Sequence, residues 1–469
     1  MKNIDTPFSP QDLQEILARA LGIATDARLV VAYSGGLDSH VLLHGLCALR
    51  AARGWRVEAV HIDHGLQPAS GDWAGHCRRV CETLAVACAI ERIEVRGVRE
   101  EGLESAARRA RYAALARHIG PGDVLLTAHH QDDQAETVLL QLLRGAGLAG
   151  LAAMPPIAAF AAGRHARPLL GFTRSALATY ARQERLSWIE DTSNRDTRLA
   201  RNFLRHRLLP LIAERWPTAP RQLARTARHA AEAAALLEEL AAADLADCGT
   251  NAGEALAIDR LMRYSPARQR NLIRHWLRTR GFRPPTAMHL ERILAHAHRP
   301  PRTRHAAVGW PGVQVRRYRD ALFVLPAAPA PDRRLELPWD PPQPLEIAGT
   351  GWRLHAVATT GAGLSQERLR RARVVVGLRR GGERCRLPGR AHRHTLKKLL
   401  QDAGVPPWER ERLPLIYADD ELAAVGDRWI CEPFCARADE PGWVPVLERA
   451  ADSAVEIPQA GRKVKKTPR

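Results

Sequence analysis

The stretch Ala27–Leu43, ARLVVAYSGGLDSHVLL, constrains this chain more than any other. Leu29, Val30, Val31 and Ala32 form a short apolar run rich in β-branched residues, the signature of a parallel strand buried on both faces. Ser34, Gly35 and Gly36 then make a turn. Glycine adopts backbone angles that a Cβ forbids and lets a ligand approach the main chain. Leu37, Asp38 and Ser39 open a helix: Asp and Ser are capping types, and Val41, Leu42, Leu43 and Leu46 continue with helical spacing. Such a turn aims several N–H groups and the positive end of a helix at one spot, which suits a phosphate. A Walker-type phosphate loop needs a lysine, and none stands between Lys2 and Lys397. No lysine in that span neutralises a phosphate or carries a covalent adenylate.

Strand and helix patterns alternate through the first half. A leading amphipathic helix carries Leu13, Ile16, Leu17 and Leu21 on one face. Predicted strands are Arg28–Tyr33, Arg56–Ile62, Ala89–Val95, Asp123–Ala128 and Ser187–Glu190. Predicted helices are His40–Arg53, Gly71–Leu84, Leu103–Ile119, Asp132–Leu143, Arg174–Glu184 and Leu199–Glu214. The expected fold class is α/β, a doubly wound parallel five-stranded sheet. Ligands of such sheets bind beyond the carboxyl ends of the strands. The SGGLDS turn, His61–His64 and His129–Asp133 all fall there and should meet in one cleft.

The pattern changes at Pro217, so the first domain is assigned to residues 1–216. Residues 217–330 read as a mostly helical domain, with strand-like alternation over Gln314–Leu325. Residues 326–344 hold seven prolines, and 331–344 read as a stiff linker. Residues 345–448 have short strand-like runs and one good helix, Thr395–Ala403, as in a small α/β domain. Residues 449–469 are a basic tail.

The net charge of +19 and pI of about 10.4 point to a polyanionic partner, most simply nucleic acid. The eight cysteines include no CxxC pair. No secretory pattern precedes the first domain and no apolar run is long enough for a bilayer. The reading is a cytoplasmic protein with reduced thiols and no membrane partner.

HIDHGL (61–66) places His and Asp at a strand end. TAHHQDDQAET (127–137) places His129, His130, Asp132 and Asp133 at a helix start, where carboxylates oppose the positive end. A zinc reading is set aside, because no HExxH or spaced Cys ligands accompany them. Mg²⁺ prefers oxygen ligands, and Asp38 and Asp133 are the candidates. GAGLAG (145–150) follows a helix rather than a strand, so its match to GxGxxG carries no dinucleotide reading. Arg108, Arg109 and Arg111 sit on one helix, and Arg201, Arg205 and His206 on another. Between Leu378 and Lys398 stand eight Arg or Lys and one acidic residue. This run, with Arg379, Arg380, Arg384, Arg386, Arg390, Lys397 and Lys398, is a candidate grip on a phosphate backbone.

SGGLDS resembles the pyrophosphate loop of the N-type ATP pyrophosphatases. Taken with HIDHGL, GLESAARRARY, TAHHQDDQAET, LLRGAGLAGL, RPLL and the WIEDTSNRD…RN…R…LLP run, the pattern over residues 28–215 resembles the tRNA(Ile)-lysidine synthetase family. The run from RRGGERCRLPGR to AAVGDRW resembles that family's terminal domain. One departure is Gln67, where the family usually has Arg. The resemblance implies that ATP adenylates the C2 carbonyl oxygen of the wobble cytidine in an isoleucine tRNA with a CAU anticodon. Free L-lysine then displaces AMP, giving lysidine and changing the codon read from Met to Ile. It also implies that Ser34, Gly35, Gly36, Leu37, Asp38, Ser39 and His61 hold ATP, and that Asp38 and Asp133 bind Mg²⁺. Asp38, His129, Asp133, Arg108, Arg111, Arg201 and Arg205 are then the expected catalytic set, and a homodimer is possible. The nearest rival is tRNA 2-thiolation by the same superfamily. The missing CxxC pairs argue against that chemistry.

Overall fold

The structure, a computed structural model, describes residues 7–65, 70–97, 102–191, 195–250, 254–299, 307–327, 329–390 and 392–449. The chain divides into two compact units, Met1–Leu237 and Glu238–Arg469. Gln67 and the basic end of the chain, Gly461–Arg469, lie outside the described residues.

The first unit opens with α1 (Pro10–Glu15), which runs on as a π-helical turn to Ala20. Then come β1 (Arg28–Ala32), α2 (Leu37–Arg53), β2 (Arg56–Asp63), α3 (Ser70–Thr83), β3 (Ala87–Arg92), α4 (Leu103–Ala116), β4 (Val124–Leu126) and α5 (Gln131–Leu143). They are followed by α6 (Leu148–Leu151), β5 (Ile157–Phe160), β6 (Gly163–Ala166), α7 (Arg174–Gln183), α8 (Ala200–Phe203) and α9 (Leu209–Arg215), and then by α10 (Ala219–Cys248), which begins in the first unit and ends in the second. The sheet order is β3-β2-β1-β4-β6-β5, parallel except for the β5–β6 hairpin. The chain leaves β1 towards β2 on one side and returns through β4 on the other. That reversal opens a crevice at the carboxyl ends of β1 and β4.

Alternation along the strands divides the core between the two faces. Leu29, Val31, Val124 and Leu126 pack with Leu42, Leu46 and Leu177 on one face. Val30, Val60 and Leu125 pack with Leu115 and Ile119 on the other. The expected α/β class holds, with two corrections. Ser187–Glu190 is no strand: it is irregular chain laid over the SGGLDS turn, with the Ile189 N–H donating to the Gly35 carbonyl at 2.9 Å. The sheet gains β5 and β6 instead, making six strands. Gly163 is required in that hairpin, because a Cβ there would stand 2.3 Å from the Asp123 carbonyl oxygen.

In the second unit, helices Pro266–Thr279 and Ala287–His298 pack with a five-stranded antiparallel sheet that includes Val313–Tyr318 and Ala321–Pro326. Trp276, Leu290, Ile293, Val315 and Leu322 fill that core. A further sheet pairs Glu336–Pro338 with Val374–Gly377, so part of the proline-rich stretch is a strand. Helix Leu396–Asp402 buries Leu396, Leu399 and Leu400 in the same core as Val376 and Ile416. The expectation of reduced thiols fails at one pair: Cys385 and Cys431 form a disulfide across 46 residues. Both are nearly fully buried, where a soluble reductant has little access, and no sequence spacing announces the pairing.

Candidate active site

The turn after β1 folds on its own hydrogen bonds. The Ser39 hydroxyl donates to the Gly36 carbonyl at 3.0 Å and lies 3.0 Å from the Ser34 hydroxyl, while the Ser34 N–H donates to Ser39 Oγ at 3.2 Å. Gly35 has φ of +80°, a region that L side chains avoid, and a Cβ there would crowd Ile189 and Cys77. Gly36 caps α2 without a side-chain hydrogen bond, Leu37 is its first residue, and Asp38 is in its first turn. The N–H groups at the positive end of this long helix therefore face the crevice without a capping side chain. His61 sits beneath the turn: buried, with Nδ1 3.0 Å from the Tyr33 carbonyl and Cys77 Sγ at 3.3 Å. Its ring supports the loop from below.

The end of β4 delivers the second cluster. His130 is buried among Asp38, Asp132 and Asp133, whose oxygens lie 3.7, 3.5 and 3.4 Å from its ring nitrogens. Burial works against an imidazolium there, but the surrounding carboxylates outweigh it and raise the pKa of His130. Burial raises Asp38, which His130, Arg174 and Arg205 only partly offset. Burial also pushes against an ionised Asp133, but His130, His129 and Arg205 together hold it below the usual carboxylate range. The Asp133 carboxylate closes α5 by accepting from the His130 N–H at 3.0 Å.

Arg201, on α8, and Arg205, on the π-helical turn Leu204–Leu208 that follows it, reach this cluster. Arg205 donates to Asp133 Oδ1 at 2.9 Å and to Glu136 Oε1 at 2.6 Å, and Arg201 Nε lies 3.1 Å from Glu136 Oε2. Both guanidiniums are thus already neutralised. Arg108 and Arg111 are different. They lie over the Tyr112 ring at 4.9 and 5.5 Å, and among the described residues neither has a carboxylate partner. Burial lowers the pKa of Arg111. His129 feels Arg111, Arg108 and Asp133, and burial pushes its pKa down to about 3. The geometry brings Ser34–Ser39, Asp38, His129, Asp133, Arg108, Arg111, Arg201 and Arg205 to one edge of the sheet.

The divalent-metal reading fits one observation: Asp38 Oδ1 is buried without a hydrogen-bond partner. Among the described residues no group of three or more His, Cys, Asp or Glu side chains is arranged so that it alone could hold a metal ion. The exposed face of the Asp38 carboxylate fits Mg²⁺, which takes one or two carboxylates and completes its shell with water and substrate phosphate.

In the second unit the basic run is partly neutralised. Arg379 pairs with Glu383, Arg380 with Glu336 and Arg386 with Glu432. Arg384, Arg390, Lys397 and Lys398 are exposed and have no acidic partner among the described residues. These four are the free charges of that surface.

Three family descriptions match the chain: a PP-loop domain over residues 8–212, a TilS substrate binding domain over 256–323 and a TilS substrate C-terminal domain over 374–448. A tRNA(Ile)-lysidine synthase from Alkalilimnicola ehrlichii is 46% identical, covering 94% of this chain and 98% of the relative. The chain belongs to the tRNA(Ile)-lysidine synthase family. Relatives of the same name from Methylococcus capsulatus and Coxiella burnetii are 44% and 38% identical, covering 88% and 93% of this chain and 96% of each relative. Membership makes the chain an ATP-binding enzyme, an ATP-dependent ligase.

Within this PP-loop domain Glu136 and Arg167 stand in the quoted motifs TAHHQDDQAET and RPLL without a role assigned to them, and His165 stands in none. Glu136 is almost wholly buried between two arginines. Its only signal was the i, i+3 spacing from Asp133, which places both on one face of α5. His165 lies on β6, an element the sequence did not reveal, and Arg167 follows it. None of the described helices is long and apolar enough to cross a membrane.

Proposed function

We propose that this enzyme ligates free L-lysine to C2 of the wobble cytidine of a CAU-anticodon isoleucine tRNA through an adenylated intermediate, consuming ATP and releasing AMP and diphosphate. The carrying observation is the convergence at one strand edge of the open helix start at Ser34–Ser39, the orphaned Asp38 oxygen, and Arg108 and Arg111, which have no carboxylate partner among the described residues. Adenylation turns a poor leaving group into a good one, and negative charge grows on phosphate oxygens as pyrophosphate departs. Fixed donors aimed at that charge lower the barrier without reorganising. The Ser34–Ser39 N–H groups and hydroxyls bind the phosphates, and Arg108 and Arg111 meet the leaving pyrophosphate. Arg201 and Arg205, committed to Glu136 and Asp133, hold α5 in place. Asp38 and Asp133 would hold Mg²⁺, which supplies charge neutralisation at the phosphates when bound.

Arg384, Arg390, Lys397 and Lys398 form the backbone-binding surface of the tRNA site, with Arg379, Arg380 and Arg386 set beside them by their ion pairs. A cytoplasmic location and a homodimer complete the reading, and light scattering checks the latter. Pyrophosphate release that needs the tRNA tests the chemistry: ATP turnover indifferent to tRNA removes the adenylated-cytidine step.

A further inference from the structure

A chain of hydrogen bonds runs behind His129. Arg167 Nη2 lies 3.0 Å from His165 Nδ1, His165 Nε2 lies 2.8 Å from Thr127 Oγ1, and Thr127 Oγ1 lies 2.8 Å from His129 Nδ1. The far end is rigid. The Arg167 main-chain N–H donates to the Pro156 carbonyl and its Nη1 to the Pro155 carbonyl, each at 2.8 Å. Thr127, His165 and Arg167 are all buried, and the His165 ring is boxed by Tyr112 and Phe160.

The direction of each bond follows from chemistry. A guanidinium only donates, so His165 Nδ1 carries the lone pair and its Nε2 carries the proton. That N–H donates to Thr127, whose single hydroxyl proton is then free for His129 Nδ1. His129 Nδ1 accepts, so its remaining proton is on Nε2. Each of the three bonds is made in this one direction, and of these four residues' buried side-chain polar atoms only Arg167 Nε, which is not part of the relay, has no partner among the described residues. Burial pushes both imidazoles down to about 3, in keeping with two neutral rings.

We propose that Arg167, His165 and Thr127 are positioning residues that hold His129 as a neutral Nε2–H donor, aimed at an anionic phosphate oxygen in the ATP cleft. In this form His129 Nε2 donates a hydrogen bond and is no general base. The proposal rests on the reading of His129 as part of the ATP site, and it assigns roles to three residues outside the expected catalytic set.

The test uses the full chain labelled with ¹⁵N-histidine. Two-bond ¹H–¹⁵N correlation separates the two neutral tautomers and the imidazolium, and the variant His129→Asn identifies the signal. Wild type is expected to show Nε2–H. Thr127→Val keeps the shape, loses the hydroxyl and should shift the signal towards a tautomer mixture; Thr127→Ser should restore it. The kcat for tRNA-dependent pyrophosphate release should fall about tenfold or more in Thr127→Val, as for other residues that orient a catalytic imidazole, with KM for ATP little changed. An Nδ1–H or imidazolium signal in wild type overturns the relay. An unchanged kcat in Thr127→Val overturns its positioning role. An Nε2–H signal beside a fully active His129→Asn enzyme supports the relay and overturns instead the place of His129 in the ATP site.

Discussion

Arg205→Met removes the cation that serves two buried carboxylates at once. Arg205 donates to both oxygens of Glu136, at 2.6 and 3.1 Å, and to Asp133 at 2.9 Å. The Glu136 side chain is 1% exposed and that of Arg205 28%. In the variant, among the described residues, Glu136 keeps Arg201 and Asp133 keeps His130. Breaking a buried ion pair from one side costs about 3–5 kcal/mol, and the surviving partners put this site near the lower end, about 3 kcal/mol. For a unit of this size the loss lowers Tm by about 6–12 °C.

The pH dependence carries a sign. In wild type the pKa of Asp133 is depressed, so its stabilisation is present above the ordinary carboxylate value and is lost as pH falls through the folded value. In Arg205→Met the half-stranded Glu136 takes up a proton more readily, so the variant regains ground as pH falls. The gap between the two proteins should therefore narrow on acidification. Glu136→Gln/Arg205→Met should be more stable than the sum of the single variants, because it removes the Glu136 charge that Arg205→Met alone leaves half-stranded. Thermal and urea unfolding at several pH values measure this. A variant as stable as wild type at neutral pH, or a gap that does not move with pH, refutes the reasoning.

Asp38→Asn should raise Tm at neutral pH, because burial penalises the ionised form, and should abolish ATP-dependent turnover; calorimetry and a pyrophosphate assay check the pair. The gain in Tm should vanish at acid pH, where the wild-type carboxyl is already neutral. Gly163→Ala drives a Cβ into the carbonyls of Asp123 and Gly120, at 2.3 and 2.9 Å, so the β5–β6 hairpin must shift. Denaturant unfolding should show a loss of about 1–3 kcal/mol, the usual cost of overpacking. Lys397→Ala/Lys398→Ala should weaken tRNA binding and flatten its dependence on log salt by about one unit per lost phosphate contact, measured by filter binding across a salt series.

Legibility in the sequence followed the physics of each element. β1 and β4 are short apolar runs whose alternation matched two buried faces, and α2 announced itself by capping types and spacing. The β5–β6 hairpin stayed hidden because IAAF and GRHA lack β-branched density, and Ala161, at φ of +49°, stands in the turn where a glycine would have been the signal. Ser187–Glu190 looked like a strand from composition alone, yet its backbone pairs with the Gly35 carbonyl rather than with a sheet edge. The SGGLDS turn and the β4 cluster were readable because their residue types sit at strand ends. The division of the arginines into committed and uncommitted cations depended on which carboxylates fold next to them, and spacing does not encode that. The Cys385–Cys431 bond joins residues far apart in the chain and had no local signature.

The most direct measurement is incorporation of radiolabelled lysine into unmodified isoleucine tRNA bearing a CAU anticodon, with ATP and Mg²⁺, beside elongator methionine tRNA. The expected result is ATP-dependent labelling of the isoleucine tRNA only. No labelling of that tRNA, with sulfur transfer or a small-molecule amidation proceeding instead, would leave the PP-loop fold standing and contradict the proposed reaction.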